Sequence, residues 1–195
     1  MKLLFATNNL HKVQEMQAAI GHAFELTGLQ DAGINIEIPE PHPTLEENAS
    51  EKSRSIYTQF HLNCFSEDTG LEVEALNGEP GVKSARYAGD GKDFKSNIEK
   101  LLSNLLGIEN RKARFRTIIS LIIDGKEYFF EGICGGSIGT QPAGKGGFGY
   151  DAVFIPDGSS KTFAEMSLEE KNAYSHRKKA GDKLVRFLQQ MHLPV

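Results

Sequence analysis

The sequence predicts an α/β fold with a mixed sheet, and three observations carry that expectation. An apolar N-terminal run, Lys2 to Ala6, breaks at Thr7-Asn8-Asn9 and leads into an amphipathic stretch, half of a βαβ element. Residues 113–123 and 126–138 read as two long strands joined by Asp124-Gly125, a strong hairpin signal. Helical periods fill much of the remaining chain.

Each element has a local cause. Val13, Met16 and Ile20 recur at i, i+3 and i+7, one face of a helix stopped by Gly21. Residues 24–38 suggest one or two short strands, and Pro39, Pro41 and Pro43 impose an extended segment. Thr44 and Glu47 have capping-box spacing, opening a helix whose face is Leu45, Ala49, Ile56 and Phe60. Leu62 to Phe65 reads as a strand that ends in an acidic turn, Glu67-Asp68-Thr69-Gly70. Ile98, Leu101, Leu102, Leu105 and Leu106 give the clearest helical period, over about 93–106. Seven glycines fall in positions 135–149, followed by a predicted strand at 152–155. Ser167 and Glu170 form a second capping box before a short helix, and Ala180, Leu184, Phe187, Leu188 and Met191 mark a last helix over 176–191.

Composition bounds the class. A chain of 195 residues against ~150 per domain favours one domain, 1–195, with room for two lobes. Mean hydropathy is −0.37 and the net charge is −4, which excludes a uniformly basic nucleic-acid binder. The longest apolar stretch, Ile118 to Ile123, is interrupted by Ser120, far short of ~20 residues for a membrane span. No targeting segment is visible. Cys64 and Cys134 lie in apolar runs and read as separate buried thiols, consistent with a reducing cytoplasm.

Two nucleotide-binding patterns fail on context. Gly144 to Gly149 matches G-x-G-x-x-G, but a strand, not a helix, is expected after it. Gly139 to Lys145 matches G-x-x-x-x-G-K, but Gly146 stands where a P-loop needs Ser or Thr. What survives is a glycine-rich loop, which allows close backbone approach to a ligand or serves as a plain hairpin tip.

Several constellations could carry chemistry. Thr7, Asn9 and Lys12 stand at a helix start, where backbone N–H groups favour an anion; a polar cap is the alternative. Glu67 and Asp68 follow a strand, where an Asp can hold Mg²⁺ or orient a water. A second acidic stretch, Glu37, Glu40, Glu46, Glu47 and Glu51, would complete an oxygen-rich cation site if the fold brought the two together. Taken singly, each stretch also reads as a solvated face. His176 and Arg177 open a helix, where cations oppose the dipole, and this suggests an external acceptor such as a carbonyl or phosphate, against a reading as surface charge. Phe148 and Tyr150 could stack on a base or line the hairpin. Arg111 to Arg116 is a basic run that reads as a decorated strand edge or an RNA contact.

The ordered motifs Thr7-Asn8-Asn9-Leu10-His11-Lys12, Glu47-Asn48-Ala49, Glu67-Asp68-Thr69-Gly70-Leu71, Pro80 to Gly89, Gly147 to Asp151, Glu170-Lys171 and Ser175-His176-Arg177 resemble those of the inosine/xanthosine triphosphate pyrophosphatases. That family hydrolyses non-standard purine nucleoside triphosphates. The match runs from Thr7 to Arg177; Thr69 stands where Ser is common. The resemblance implies an elongated, two-lobed α/β fold with a mixed, twisted central sheet flanked by helices and an active-site cleft between the lobes. It also implies a cytoplasmic homodimer with neither nucleic acid nor membrane as partner. Its implied substrates are ITP, dITP and XTP, cleaved to the monophosphate and pyrophosphate with Mg²⁺.

By the same resemblance, Thr7, Asn8, Asn9, Leu10, His11 and Lys12 bind the triphosphate, and Asp68 is proton acceptor and metal ligand. Glu40 is the second metal carboxylate, with Glu37 as the alternative. Thr69, Phe148, Gly149, Tyr150, Asp151, Lys171, His176 and Arg177 contact the nucleotide. Arg86 lies in a family motif without an assigned role. Two competing readings are a pyrimidine-nucleotide pyrophosphatase of similar fold, which Ser175-His176-Arg177 argues against, and a non-catalytic sensor or RNA-binding module.

Overall fold

The computed structural model describes residues 2–22, 24–91 and 93–191. Seven strands and five α-helices occur among them: β1 (Lys2–Phe5), α1 (Leu10–Ile20), β2 (Glu25–Gly28), α2 (Leu45–Phe60), β3 (Cys64–Val73), β4 (Pro80–Gly81), α3 (Phe94–Asn104), β5 (Lys112–Ile123), β6 (Lys126–Ile138), β7 (Phe154–Pro156), α4 (Leu168–Asn172) and α5 (His176–Gln190). The hydrogen-bonded strand order is β2-β1-β3-β5-β6-β7, with β4 added to β3. β1 runs parallel to β2 and β3, whereas β3–β4 and β6–β7 are antiparallel, so the sheet is mixed as expected.

The chain divides into two compact units. The first comprises residues 1–68, 117–132 and 176–195; the second comprises 69–116 and 133–175. Each has its own core. In the first unit, Phe5 and Phe65 stack with ring centroids 4.3 Å apart. Met16 and Ile20 of α1 and Ala180, Leu184 and Leu188 of α5 cluster with them. Ile56 of α2 packs instead with Cys64, Ala6 and Leu29. The second unit buries Leu101 and Leu105 of α3 with Phe115, Phe154 and Phe163.

The capping signals hold. Asn9 caps α1, accepting from the N–H groups of His11 and Lys12, and Thr44 caps α2, accepting from Glu47 N–H. Ser167 and Glu170 form a reciprocal box on α4. Asp124 and Gly125 both adopt positive φ, the geometry that a two-residue hairpin turn needs. Both cysteines are buried and free, and burial pushes the Cys64 thiol up to about 12.

Three expectations are corrected. Glu67 to Gly70 is not a turn: β3 continues through it to Val73, because its buried carboxylates have cationic partners. The strand expected at 152–155 occupies Phe154–Pro156, since Val153 and Phe154 N–H groups bond back to the Tyr150 carbonyl and keep the chain turning. Residues 24–38 hold one strand, β2, within the one or two expected. The basic run from Arg111 is not a sheet edge, because β5 lies between β3 and β6. Arg111 donates to the carbonyls of Leu105, Ile138 and Gly139, and Arg114 pairs with Glu72 at 2.6 Å. Among the described residues no helix is long and apolar enough to cross a membrane.

Within the first unit, β6 presses on the start of α5 at Gly132. A Cβ on Gly132 would overlap the His176 carbonyl oxygen and lie 2.5 Å from Ala180 N. Only glycine lets α5 begin there, and that start fixes His176 and Arg177. Gly132→Ala is expected to lower unfolding free energy by ~1–3 kcal/mol, measured by urea denaturation; an unchanged midpoint would contradict this close approach.

Candidate functional site

The site of the first unit is built on the alternation of β3. Successive side chains of a strand point to opposite faces, so Glu67 goes with Phe65 and Asp68 with Cys64 and Ser66. Glu67 meets α1 and α5. Arg177 grips it through two parallel bonds, Nε to Oε2 and Nη2 to Oε1, both 2.8 Å, and Lys12 Nζ stands 3.3 Å from Oε1. Arg177 Nη1 also donates to Glu15. Burial alone would raise the Glu67 carboxyl; the Arg177 and Lys12 charges outweigh it and hold the group at about 2.

Asp68 meets α2. Lys52 Nζ donates to Asp68 Oδ1 at 2.9 Å and to Glu40 Oε1 at 2.7 Å. Burial raises the Asp68 carboxyl, the Lys52 and Lys12 charges pull it down, and Glu40 pushes it up; the balance lies above the ordinary aspartate value. Burial works against the Lys52 charge, but its two carboxylates prevail and raise it. The two acidic stretches of the sequence therefore meet in this unit, through Glu40 rather than Glu37, which is exposed. The cations Lys12, Lys52 and Arg177 face the carboxylates of Glu15, Glu40, Glu67 and Asp68.

The donor set fits a small divalent cation. Oxygens of Glu40 and Asp68 converge on one point, which Lys52 Nζ fills, and hard cations take carboxylate oxygen, so a divalent cation held there would take the place of the ammonium. Among the described residues no three acidic, histidine or cysteine side chains form a closed metal cage. Mg²⁺ suits such a site, because it commonly takes one or two carboxylates and keeps several waters.

The expected triphosphate loop is ordered as a helix cap. Thr7 Oγ1 accepts from Asn9 N–H, Asn9 Oδ1 caps α1, and Asn8 Nδ2 donates to the Ile36 carbonyl. Leu10 and His11 are exposed at the start of α1 and Lys12 is half-buried. His176 and Arg177 are buried at the start of α5. The acceptors that the cationic helix start called for are internal: Arg177 uses Glu67 and Glu15, so its reading as surface charge is corrected.

The second unit holds the other predicted residues. Asp151 is buried, and its Oδ2 accepts from Phe148 N–H at 3.0 Å and from Lys171 Nζ at 2.6 Å. That ammonium lies 5.6 Å from the Phe148 ring centroid and 5.1 Å from that of Phe163. Tyr150 is buried, its hydroxyl donates to the Ser84 carbonyl, and burial raises its pKa, so it lines the core rather than presenting a stacking face. Thr69 and Gly149 are half-buried.

Sequence reading missed Lys52 and Glu15. A signal for Lys52 existed: it falls on the α2 stripe of Asn48, Ala49, Ser53 and Ile56, where a lysine must find carboxylates.

A model of the Ham1 family matches residues 3–187. This chain belongs to the Ham1 family. A dITP/XTP pyrophosphatase of Porphyromonas gingivalis is 48% identical over 188 residues, covering 96% of this chain and 97% of that protein. One from Flavobacterium johnsoniae is 45% identical over 188 residues, covering 96% and 98%. The structure of the Staphylococcus aureus Ham1 protein superposes with a TM-score of 0.87 at 36% identity, covering 98% of this chain and all of that one. A HAM1 protein from Coxiella burnetii gives 0.87 at 33% identity, covering 97% and 99%. In this Ham1 chain the division between units falls at Asp68/Thr69 and at Ser175/His176, inside two of the family motifs.

The depressed Glu67 carboxyl predicts acid sensitivity. Its contribution to stability is complete above its unfolded value near 4.5 and is lost as pH falls toward about 2. Glu67→Gln should flatten the fall in unfolding free energy between ~pH 5 and pH 2, a difference on the order of 3 kcal/mol. Urea denaturation at a series of pH values measures it, and parallel curves would contradict the assignment.

Proposed function

We propose that this chain hydrolyses non-standard purine nucleoside triphosphates, ITP, dITP and XTP, to the monophosphate and pyrophosphate. The observation that carries this reading is near-full-length similarity to proteins bearing that activity, and the first unit's charge arrangement supports it. When bound at Glu40 and Asp68, Mg²⁺ supplies Lewis acidity and neutralises charge on phosphate oxygens. Asp68 orients a water toward the α-phosphorus and takes its proton, a task helped by a carboxyl raised above its ordinary value. The water oxygen bonds to the α-phosphorus, the α–β bridge breaks, and the bridging oxygen leaves with pyrophosphate. Before the metal binds, Lys52 keeps Asp68 and Glu40 aimed at one point, which its ammonium gives up to Mg²⁺. Lys12, beside the N-terminus of α1, stabilises charge on the phosphates, aided by Lys171.

Base recognition falls to Phe148, which offers a half-buried ring for stacking, and to His176 and Arg177 as donors to a 6-keto oxygen. For Arg177 this requires a Glu15 or Glu67 oxygen to be exchanged for that of the substrate. Adenine presents an amino donor instead and leaves those donors unmatched. The two buried free thiols favour a reducing compartment, the cytoplasm, and the family resemblance favours a homodimer.

Incubation with Mg²⁺ and a panel of nucleoside triphosphates tests the reading. Pyrophosphate is expected from ITP, dITP and XTP and little from ATP; orthophosphate as the product, or full turnover in EDTA, would contradict it. Asp68→Asn should lower kcat by ~10²–10⁴-fold while nucleotide binding persists in a direct binding assay. Lost binding with unaltered chemistry would remove Asp68 from its role.

A further inference from the structure

The helix α3 carries an aromatic ring that the core does not use. Asp93 caps it, its carboxylate accepting from the N–H and hydroxyl of Ser96, so the first turn is fixed. Leu101 and Leu105 face the core of the second unit with Ile98 packed at its border. Phe94 continues that stripe one turn further, at i−4 from Ile98, and leaves the core cluster. It is 39% exposed. Its contact is Phe148: the ring centroids lie 6.1 Å apart with planes inclined by 49°, within the range of tilted aromatic pairs.

Phe148 is already held from other sides. Its N–H donates to Asp151 Oδ2, and the Lys171 ammonium, fixed by the same oxygen, stands against its ring. These contacts set the backbone and one side of the ring. Phe94 supplies a further wall, so the ring keeps one orientation before any ligand arrives. A half-buried aromatic ring costs affinity if a base must order it on binding, and a pre-set one does not.

We infer that Phe94 is a positioning residue for the base, fixing the Phe148 ring as the stacking platform for the purine. This rests on the proposed reading of Phe148 as the stacking group. The role is one in binding, because the ring that Phe94 meets is that of Phe148, the proposed platform for the base.

The test is a double-mutant cycle on ITP hydrolysis, with Phe94→Ala, Phe148→Ala, both together, and Phe94→Tyr. Phe94→Ala should raise KM for ITP ~3–10-fold with kcat changed less than ~2-fold. Phe94→Tyr keeps a ring and should keep the wild-type KM. In the Phe148→Ala background, Phe94→Ala should have no further effect, which general loosening of α3 would not reproduce. An unchanged KM in Phe94→Ala, or the same rise with and without Phe148, overturns the inference while leaving the proposed function intact. A wild-type chain that releases no pyrophosphate from ITP overturns both.

Discussion

The bidentate pair between Arg177 and Glu67 is the constraint on which the first unit's site depends. Both side chains are almost wholly buried, and a buried charge is tolerated only when matched and hydrogen-bonded. Glu67 sits mid-strand on β3 and Arg177 opens α5, so satisfying one charge locks the helix start to the strand. Gly132 makes that docking sterically possible, by letting β6 approach the first turn of α5. Lys12 then comes to Glu67 from α1, and Glu15 to Arg177 from the next turn of the same helix. The network thus sets the positions of α1 and α5 against the sheet as much as their apolar faces do.

Strand alternation turns this one constraint into two chemistries. With Glu67 committed to the cations of α1 and α5, its neighbour Asp68 must face α2, where Lys52 joins it to Glu40. One carboxyl is held far below its usual range; the other lies above its usual range. Environment alone separates them, as is common where adjacent titratable groups have different tasks. In the second unit the same economy recurs: Asp151 fixes both Lys171 and the backbone of Phe148 through a single oxygen.

Much of this was legible in the sequence where local physics decides. The caps at Asn9, Thr44 and Ser167, the Asp124-Gly125 hairpin and the period of α3 all depend on near neighbours, and all are present. What stayed hidden depends on partners remote in sequence. Glu67 to Gly70 looks like a turn because its polar residues shun strand interiors; cations from other elements, Arg177 110 residues away among them, make burial acceptable. Lys52 falls on the buried stripe of α2, but its carboxylates come from an irregular segment and from β3, which that stripe does not name. The sheet-edge reading of Arg111 and the surface-charge reading of Arg177 failed for one reason: a guanidinium can be taken up by carbonyls or carboxylates of its own chain, which spacing does not reveal. Tyr150 sits in the core because its hydroxyl finds Ser84, a partner no local pattern indicates.

The dependence of the site on the Arg177–Glu67 pair is open to one direct measurement, the unfolding free energies at neutral pH of Glu67→Gln, Arg177→Met and the double variant. A buried pair that organises its surroundings predicts a loss of ~3–5 kcal/mol in each single variant, where a partner is left uncompensated. It predicts a loss in the double variant well below the sum, by at least ~2 kcal/mol. Small, additive losses would contradict it, and would mean that the apolar faces of α1 and α5 place the helices without help from the pair.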